Sequence, residues 1–134
     1  MTRMCIWVKA RNHTAKAISE ALQQVISSFG EQRDQVFKTI TGDNGSEFAG
    51  ISLLENGTLK VYFTHPYSSC EKGTNECHNR MLRRFIPKGK SILDYTADEI
   101  CFLADCINGL PRKILGYATP EELFERHLDC IYAA

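Results

Sequence analysis

The stretch Thr39-Ile-Thr-Gly-Asp-Asn-Gly-Ser-Glu-Phe48 decides the fold that this sequence predicts. Residues 36–41 are rich in β-branched side chains, which favours a strand. That strand delivers Asp43 at its carboxyl end, and open α/β sheets bind their ligands at the carboxyl ends of their strands. The sequence therefore predicts an α/β sheet with a functional acid at position 43.

A second acid, Glu76, follows in the segment His65-Pro-Tyr-Ser-Ser-Cys-Glu-Lys-Gly-Thr-Asn-Glu-Cys-His-Asn-Arg80. We expect a polar loop over residues 65–73 and then a helix that carries Glu76. Helical periodicity divides that helix into two faces. The polar face holds Glu76, Asn79, Arg80 and Arg83, and the apolar face holds Cys77, Met81, Leu82 and Phe85.

Outside this stretch the pattern continues as alternating strands and helices. Strands are predicted at residues 4–8 and 60–64, and helices after Thr14 and from residue 46 to residue 54. Thr96-Ala-Asp-Glu and Thr119-Pro-Glu-Glu are capping boxes that open the last two helices. This order is typical of an α/β domain, and we expect a single domain over residues 1–134.

Composition excludes several classes of protein. The chain has 134 residues, 43% of them hydrophobic, which suffices for one domain with a core. Its 16 basic and 16 acidic residues argue against a DNA-binding arm but allow a local basic groove. No apolar run approaches ~18 residues, so no membrane span is expected. The six cysteines form no Cys-x-x-Cys pair, which favours free thiols in a reducing cytoplasm.

Three motifs together resemble a known family. Asp43-Asn-Gly at a strand end, Pro66-Tyr-Ser-Ser, and Gly73-Thr-Asn-Glu with Asn79 behind it are similar to the surroundings of the second and third acids of a DDE transposase or integrase core. The tail Leu110-Pro-Arg-Lys-Ile-Leu-Gly-Tyr-Ala-Thr-Pro-Glu-Glu-Leu-Phe124 resembles the IS-thirty family of bacterial insertion-sequence transposases. The resemblance covers nearly the whole chain. It implies a ribonuclease-H-like fold and a location in the bacterial cytoplasm.

The resemblance also implies a chemistry. Asp43 corresponds to the second catalytic acid and Glu76 to the third, and both would be ligands of Mg²⁺ or Mn²⁺. In such sites two ions activate the attacking oxygen and stabilise the leaving one. No acid of this chain corresponds to the family's first, so the resemblance implies a core that lacks its first strands on the N-terminal side. We therefore expect weak metal binding and no strand transfer by this chain alone.

The partners implied are DNA, both at transposon ends and at the target. Asn79 and Arg80 are expected to contact a phosphate, with Lys72 and Arg83 as further candidates. A homo-oligomer or an intact transposase is a second class of partner. If residues 4–8 lack their neighbouring strands, their backbone groups are unpaired, and this favours association through the open edge.

Each motif also has an ordinary structural interpretation. Asp43 could form an Asx turn at a strand end, Glu76 could be an acid favoured by the helix dipole, and the arginines could form a solvated helix face. For the whole chain, one alternative is a non-catalytic interaction module that assembles with an intact transposase and inhibits it. Another is an unrelated metal-dependent nuclease of the same fold. The two acids and the tail motif, matched in order, favour the transposase core.

Overall fold

The computed structural model describes residues 1–65 and 73–134. The chain divides into two compact units, one made of Met1–Lys9 with Gly73–Ala134 and the other of Ala10–Lys72. Each unit has its own architecture. The helices and the parallel strand pair make the protein a mixed α/β chain, as the sequence predicts.

The unit Ala10–Lys72 places a parallel strand pair beside helices. Its elements are α1 (Ala15–Ser27), a 3-10 turn (Gly30–Gln32), α2 (Arg33–Val36), β1 (Thr39–Gly42), a 3-10 helix (Ser46–Leu54) and β2 (Lys60–Phe63). The two strands run parallel, in a register that pairs Thr39 with Lys60 and Gly42 with Phe63. Their carboxyl ends therefore meet at one edge.

Helix α1 starts where the sequence predicts, because the Thr14 hydroxyl accepts the N–H of Ala17 at 3.3 Å. It packs closely on the 3-10 helix. A side chain at Gly50 would place its Cβ 2.6 Å from the Ser19 hydroxyl oxygen and 3.2 Å from the Ala15 carbonyl oxygen. The next residue, Ile51, is almost fully buried. Glycine at position 50 thus allows the backbone of the 3-10 helix to approach α1.

The strand predicted for residues 36–41 is wrong at its start. Val36 ends the short helix α2, whose final turn is closed by the N–H of Phe37 donating to the Arg33 carbonyl at 2.8 Å. The ring of Phe37 packs edge-on against that of Phe29, with centroids 5.1 Å apart. These contacts override the β propensity of the branched side chains, and β1 begins only at Thr39.

The unit that contains Gly73–Ala134 is helical. It consists of α3 (Gly73–Phe85), a 3-10 turn (Ile92–Asp94), α4 (Ala97–Asn108), a 3-10 turn (Lys113–Leu115) and α5 (Pro120–Tyr132). Its buried apolar side chains include Ile86, Ile100, Ala104 and Ile107. Ile100, Ala104 and Ile107 form the buried face of α4.

Both predicted capping boxes are confirmed. The Thr96 hydroxyl accepts the N–H of Glu99 at 3.2 Å, and the Glu99 carboxylate accepts the N–H of Thr96 at 2.7 Å. This backbone hydrogen bond holds the pKa of Glu99 below its usual value. Thr119 and Glu122 form the same reciprocal pair at the start of α5, with Pro120 as the first helical residue.

Replacing Thr119 by alanine is expected to lower the free energy of unfolding by about 1 kcal/mol, because one N–H at the start of α5 loses its acceptor. Thr119→Ser keeps the hydroxyl and should stay within about 0.5 kcal/mol of the wild type. Urea unfolding followed by circular dichroism measures both values. Equal losses for the two substitutions would show that the methyl group, rather than the cap, stabilises this end.

The strand predicted at residues 4–8 is wrong. A strand needs a neighbouring backbone, and no strand is assigned to these residues in the described parts of the chain. Instead, the N–H of buried Cys5 donates to Asn108 Oδ1 at 3.0 Å, and Asn108 Nδ2 donates to the Cys5 carbonyl at 2.7 Å. One side-chain amide thus satisfies both backbone groups of Cys5. Burial raises the pKa of the Cys5 thiol to about 11.

Candidate active site

Asp43 lies directly after β1, at the carboxyl end of the parallel strand pair, and is exposed. Its Oδ1 accepts the N–H of Asn44 at 2.8 Å, and Asn44 Nδ2 in turn donates to the Thr64 carbonyl just beyond β2. Asp43 is therefore held in a turn that is tied to both strand ends.

Gly42 precedes Asp43 and has no room for a side chain. A Cβ at position 42 would overlap Ile51 Cδ1, and Ile51 is only 1% exposed. Because the isoleucine is enclosed, it has little freedom to move aside. The backbone leading into Asp43 is thus fixed by packing as well as by hydrogen bonds.

Glu76 lies in the first turn of α3 and is exposed. Asn79, Arg80 and Arg83 are exposed on the same helix, so the predicted polar face is confirmed for these four side chains. Arg80 makes a long contact to the Cys77 sulfur at 3.9 Å. Lys72 and most of the predicted loop over residues 65–73 lie outside the described residues.

Asp43 and Glu76 belong to different compact units, and each is described within its own. Both offer carboxylate oxygens, the donors that Mg²⁺ prefers, and both side chains are accessible. Asp43 and Glu76 thus carry the type of oxygen ligand that binds Mg²⁺. Within the two described ranges, no group of three or more His, Cys, Asp or Glu side chains is arranged to hold a metal ion.

Sequence reasoning missed the close approach of Glu47 to the turn after Asp43. An added Cβ at Gly45 would lie 2.5 Å from the Glu47 carboxyl carbon. The Glu47 carboxylate is also 3.9 Å from His13 Nε2. In the sequence, Glu47 stands two residues after Gly45. This spacing alone does not show the direction of the Glu47 side chain.

His78 is a second residue whose setting the sequence did not reveal. It lies on α3 and is only 6% exposed. Burial lowers the pKa of His78, and the positive charge of Arg112 lowers it further, while a hydrogen bond with the Arg3 backbone acts in the opposite direction. His78 therefore favours its neutral form in the folded protein.

The folded protein is expected to lose stability below about pH 6.5, the ordinary pKa of histidine. The folded-state pKa of His78 is depressed, so the unfolded chain takes up the proton first as the pH falls. The contribution of His78 to the free energy of unfolding is fully present above the pKa of histidine in the unfolded chain, and it is lost as the pH falls towards the pKa of His78 in the folded protein. Because of this residue, the free energy of unfolding changes by at most about 1.4 kcal/mol per pH unit.

Urea unfolding between pH 7.5 and pH 5 measures how the free energy of unfolding depends on pH. The substitution His78→Gln should remove the part of this pH dependence that His78 causes. His127, exposed on α5, provides the matched control, because His127→Gln should leave the slope unchanged. A wild-type slope that persists in His78→Gln would assign the effect to other groups.

Comparison with known proteins adds the family. The chain is 38% identical over 124 residues to a probable transposase for the insertion-like sequence element IS1161 of Streptococcus salivarius, covering 92% of this chain and 34% of that protein. It is 44% identical over 92 residues to the transposase for insertion sequence element IS4351 of Bacteroides fragilis, covering 68% of this chain and 28% of that protein.

A third relative is transposase InsI for insertion sequence element IS30A of Escherichia coli K12, 32% identical over 126 residues, covering 93% of this chain and 32% of that protein. The chain thus spans about a third of the length of the curated relatives it matches. No family profile and no solved structure matches it.

Among the described residues, no helix is both long and apolar enough to cross a membrane. The sequence matches cover the Asp43 turn, α3 and the tail motif in one continuous region of several transposases. The chain matches about a third of the length of these proteins. It belongs to the bacterial insertion-sequence transposases that include those of the IS30 elements.

Proposed function

We propose that this chain is part of the catalytic core of an insertion-sequence transposase and supplies Asp43 and Glu76 to a metal-dependent site for DNA cleavage and strand transfer. The observation that carries the proposal is the position of Asp43, exposed at the carboxyl end of a parallel strand pair. The named activity of the relatives supports it. The fold we propose for the complete core is ribonuclease-H-like.

The two acids would act as ligands of Mg²⁺ or Mn²⁺. When bound, such ions activate an oxygen nucleophile and stabilise the leaving oxygen of a phosphodiester. Asp43 would offer a carboxylate held by the N–H of Asn44, and Glu76 would offer one from the first turn of α3. With two carboxylates in place of three, we propose that the chain binds the ion weakly and transfers no strand on its own.

The polar face of α3 would bind the DNA backbone. Arg80 and Arg83 lie one and two turns beyond Glu76, about 6 Å and 10 Å further along the helix axis. Neither arginine is part of an ion pair formed among the described residues, and both are exposed. Asn79 would add a hydrogen bond to the same strand, and Lys72 would add charge. Such contacts position DNA without reading its sequence.

Manganese titration of the full chain tests the proposal. We expect a dissociation constant in the millimolar range, measured from the electron paramagnetic resonance signal of free Mn²⁺. Asp43→Asn and Glu76→Gln should each weaken binding by about tenfold, which is about 1.4 kcal/mol. Because we propose that both acids hold the same ion, either substitution should remove most of the Mn²⁺ binding.

Asp34→Asn and Glu125→Gln are the matched controls, one in each unit, and should leave the titration unchanged. If Asp43→Asn and Glu76→Gln bind Mn²⁺ as the wild type does, these two acids do not form the metal site. Mg²⁺-dependent cleavage of DNA by the wild-type chain alone would contradict the proposed need for a further acid.

A further inference from the structure

We infer that Asn44 is a positioning residue for Asp43. Its side-chain amide takes the place of a backbone N–H in the sheet ladder, and this leaves the backbone N–H of residue 44 to hold the Asp43 carboxylate. The inference deepens the proposed function and rests on it in one respect, that Asp43 is the acid that does chemistry.

The hydrogen bonds between the two strands show that the Asn44 side chain takes the place of a backbone N–H. The N–H of Lys60 donates to the Lys38 carbonyl at 3.0 Å, and the N–H of Thr64 donates to the Gly42 carbonyl at 3.0 Å. Hydrogen bonds in a parallel pair are evenly spaced, so the next donor to the Thr64 carbonyl would be the N–H of residue 44. In its place Asn44 Nδ2 donates to that carbonyl.

The backbone N–H that is released turns to Asp43, where it donates to Oδ1 at 2.8 Å. This hydrogen bond fixes the rotation of the carboxylate relative to the strand end. Asn44 thus keeps the Asp43 carboxylate oriented, a property that a metal ligand needs.

An amide side chain is required at this position for a physical reason. Thr64 is only 6% exposed, so its carbonyl has little access to water as an alternative donor. Leaving such an acceptor unpaired costs about 1–3 kcal/mol. Alanine has no donor for it, and aspartate has only acceptors when ionised. Without the amide, the N–H of residue 44 returns to the ladder and leaves Asp43.

Nuclear magnetic resonance of the full metal-free chain tests the inference through scalar couplings across hydrogen bonds. In the wild type, the backbone nitrogen of residue 44 should couple to the side-chain carboxyl carbon of Asp43, and Asn44 Nδ2 should couple to the carbonyl carbon of Thr64. In Asn44→Ala, the backbone nitrogen of residue 44 should couple to the carbonyl carbon of Thr64, and its coupling to Asp43 should be lost.

Asn56→Ala provides the matched control. Asn56 Oδ1 accepts the N–H groups of Thr58 at 2.9 Å and Leu59 at 2.8 Å, at the opposite end of β2. Losing these bonds should destabilise the same unit and leave both couplings of the residue 44 nitrogens unchanged. A purely structural role for Asn44 would therefore give the same result as Asn56→Ala.

The outcomes separate this inference from the proposed function. A coupling from the backbone nitrogen of residue 44 to Asp43 that persists in Asn44→Ala, or the absence of this coupling in the wild type, overturns the inference. The wild-type measurement needs no variant, so it decides the matter even if Asn44→Ala does not fold. Both wild-type couplings in a chain that binds no Mn²⁺ would support the inference and refute the proposed metal site.

Discussion

Asp43→Asn is expected to lower transposition by about a thousandfold or more when this chain replaces the matching third of the Streptococcus salivarius relative. Asparagine keeps the shape of the side chain and removes the charge that would hold the metal ion. Metal ions contribute several kcal/mol to stabilising charge in the transition state, and each 1.36 kcal/mol is a factor of ten in rate. A plasmid-based transposition assay measures the loss directly.

Glu76→Gln should cause a loss of the same order, and the double variant should be little worse than either single one. Residues that serve one site are not additive, because removing one already disables the site. Asp34→Asn, in the same unit as Asp43, should transpose within about threefold of the parent chimera. Immunoblotting checks that all variants are equally abundant. Retention of a tenth of the activity by Asp43→Asn would exclude it as a catalytic acid.

Asn108→Ala is expected to lower the free energy of unfolding by about 2–4 kcal/mol, the largest stability effect that the structure predicts. Asn108 is 1% exposed, and its amide pairs with both the N–H and the carbonyl of Cys5. Alanine leaves both backbone groups of Cys5 without partners, at about 1–3 kcal/mol each, and also leaves a cavity. Chemical denaturation followed by circular dichroism measures the difference.

Asn79→Ala is the natural control, since this asparagine is exposed on α3 and its loss should cost no more than about 0.5 kcal/mol. A deficit below about 1 kcal/mol in Asn108→Ala would mean that the segment around Cys5 contributes little to folding. The thiol of Cys5 gives an independent readout, because it is buried in the wild type and should react faster with alkylating reagents in the variant.

The sequence predicts well the features that depend on neighbours within one helical turn. The hydroxyls of Thr14, Thr96 and Thr119 each cap a helix three residues away at most, so their roles follow from local spacing alone. The placement of Asp43 after a strand follows in the same way from the residues that precede it. The exposure of Arg80 and Arg83 follows from helical periodicity.

Features that depend on distant partners could not be predicted in this way. Cys5 and Asn108 are 103 positions apart, and nothing in either sequence context indicates the pair. The error at residues 4–8 has the same origin, since an apolar run becomes a strand only beside a suitable backbone. Asn44 belongs to the Asp43-Asn-Gly motif, but its hydrogen bond to the Thr64 carbonyl depends on the register of the two strands.

The packing of Gly42 against Ile51 has a consequence for how this sequence can change over generations. A substitution at position 42 disturbs this packing and with it the fold. Asp43 is exposed, so a substitution there leaves the packing intact. A gene copy that loses Asp43 would therefore still give a folded chain, but one without the proposed metal ligand.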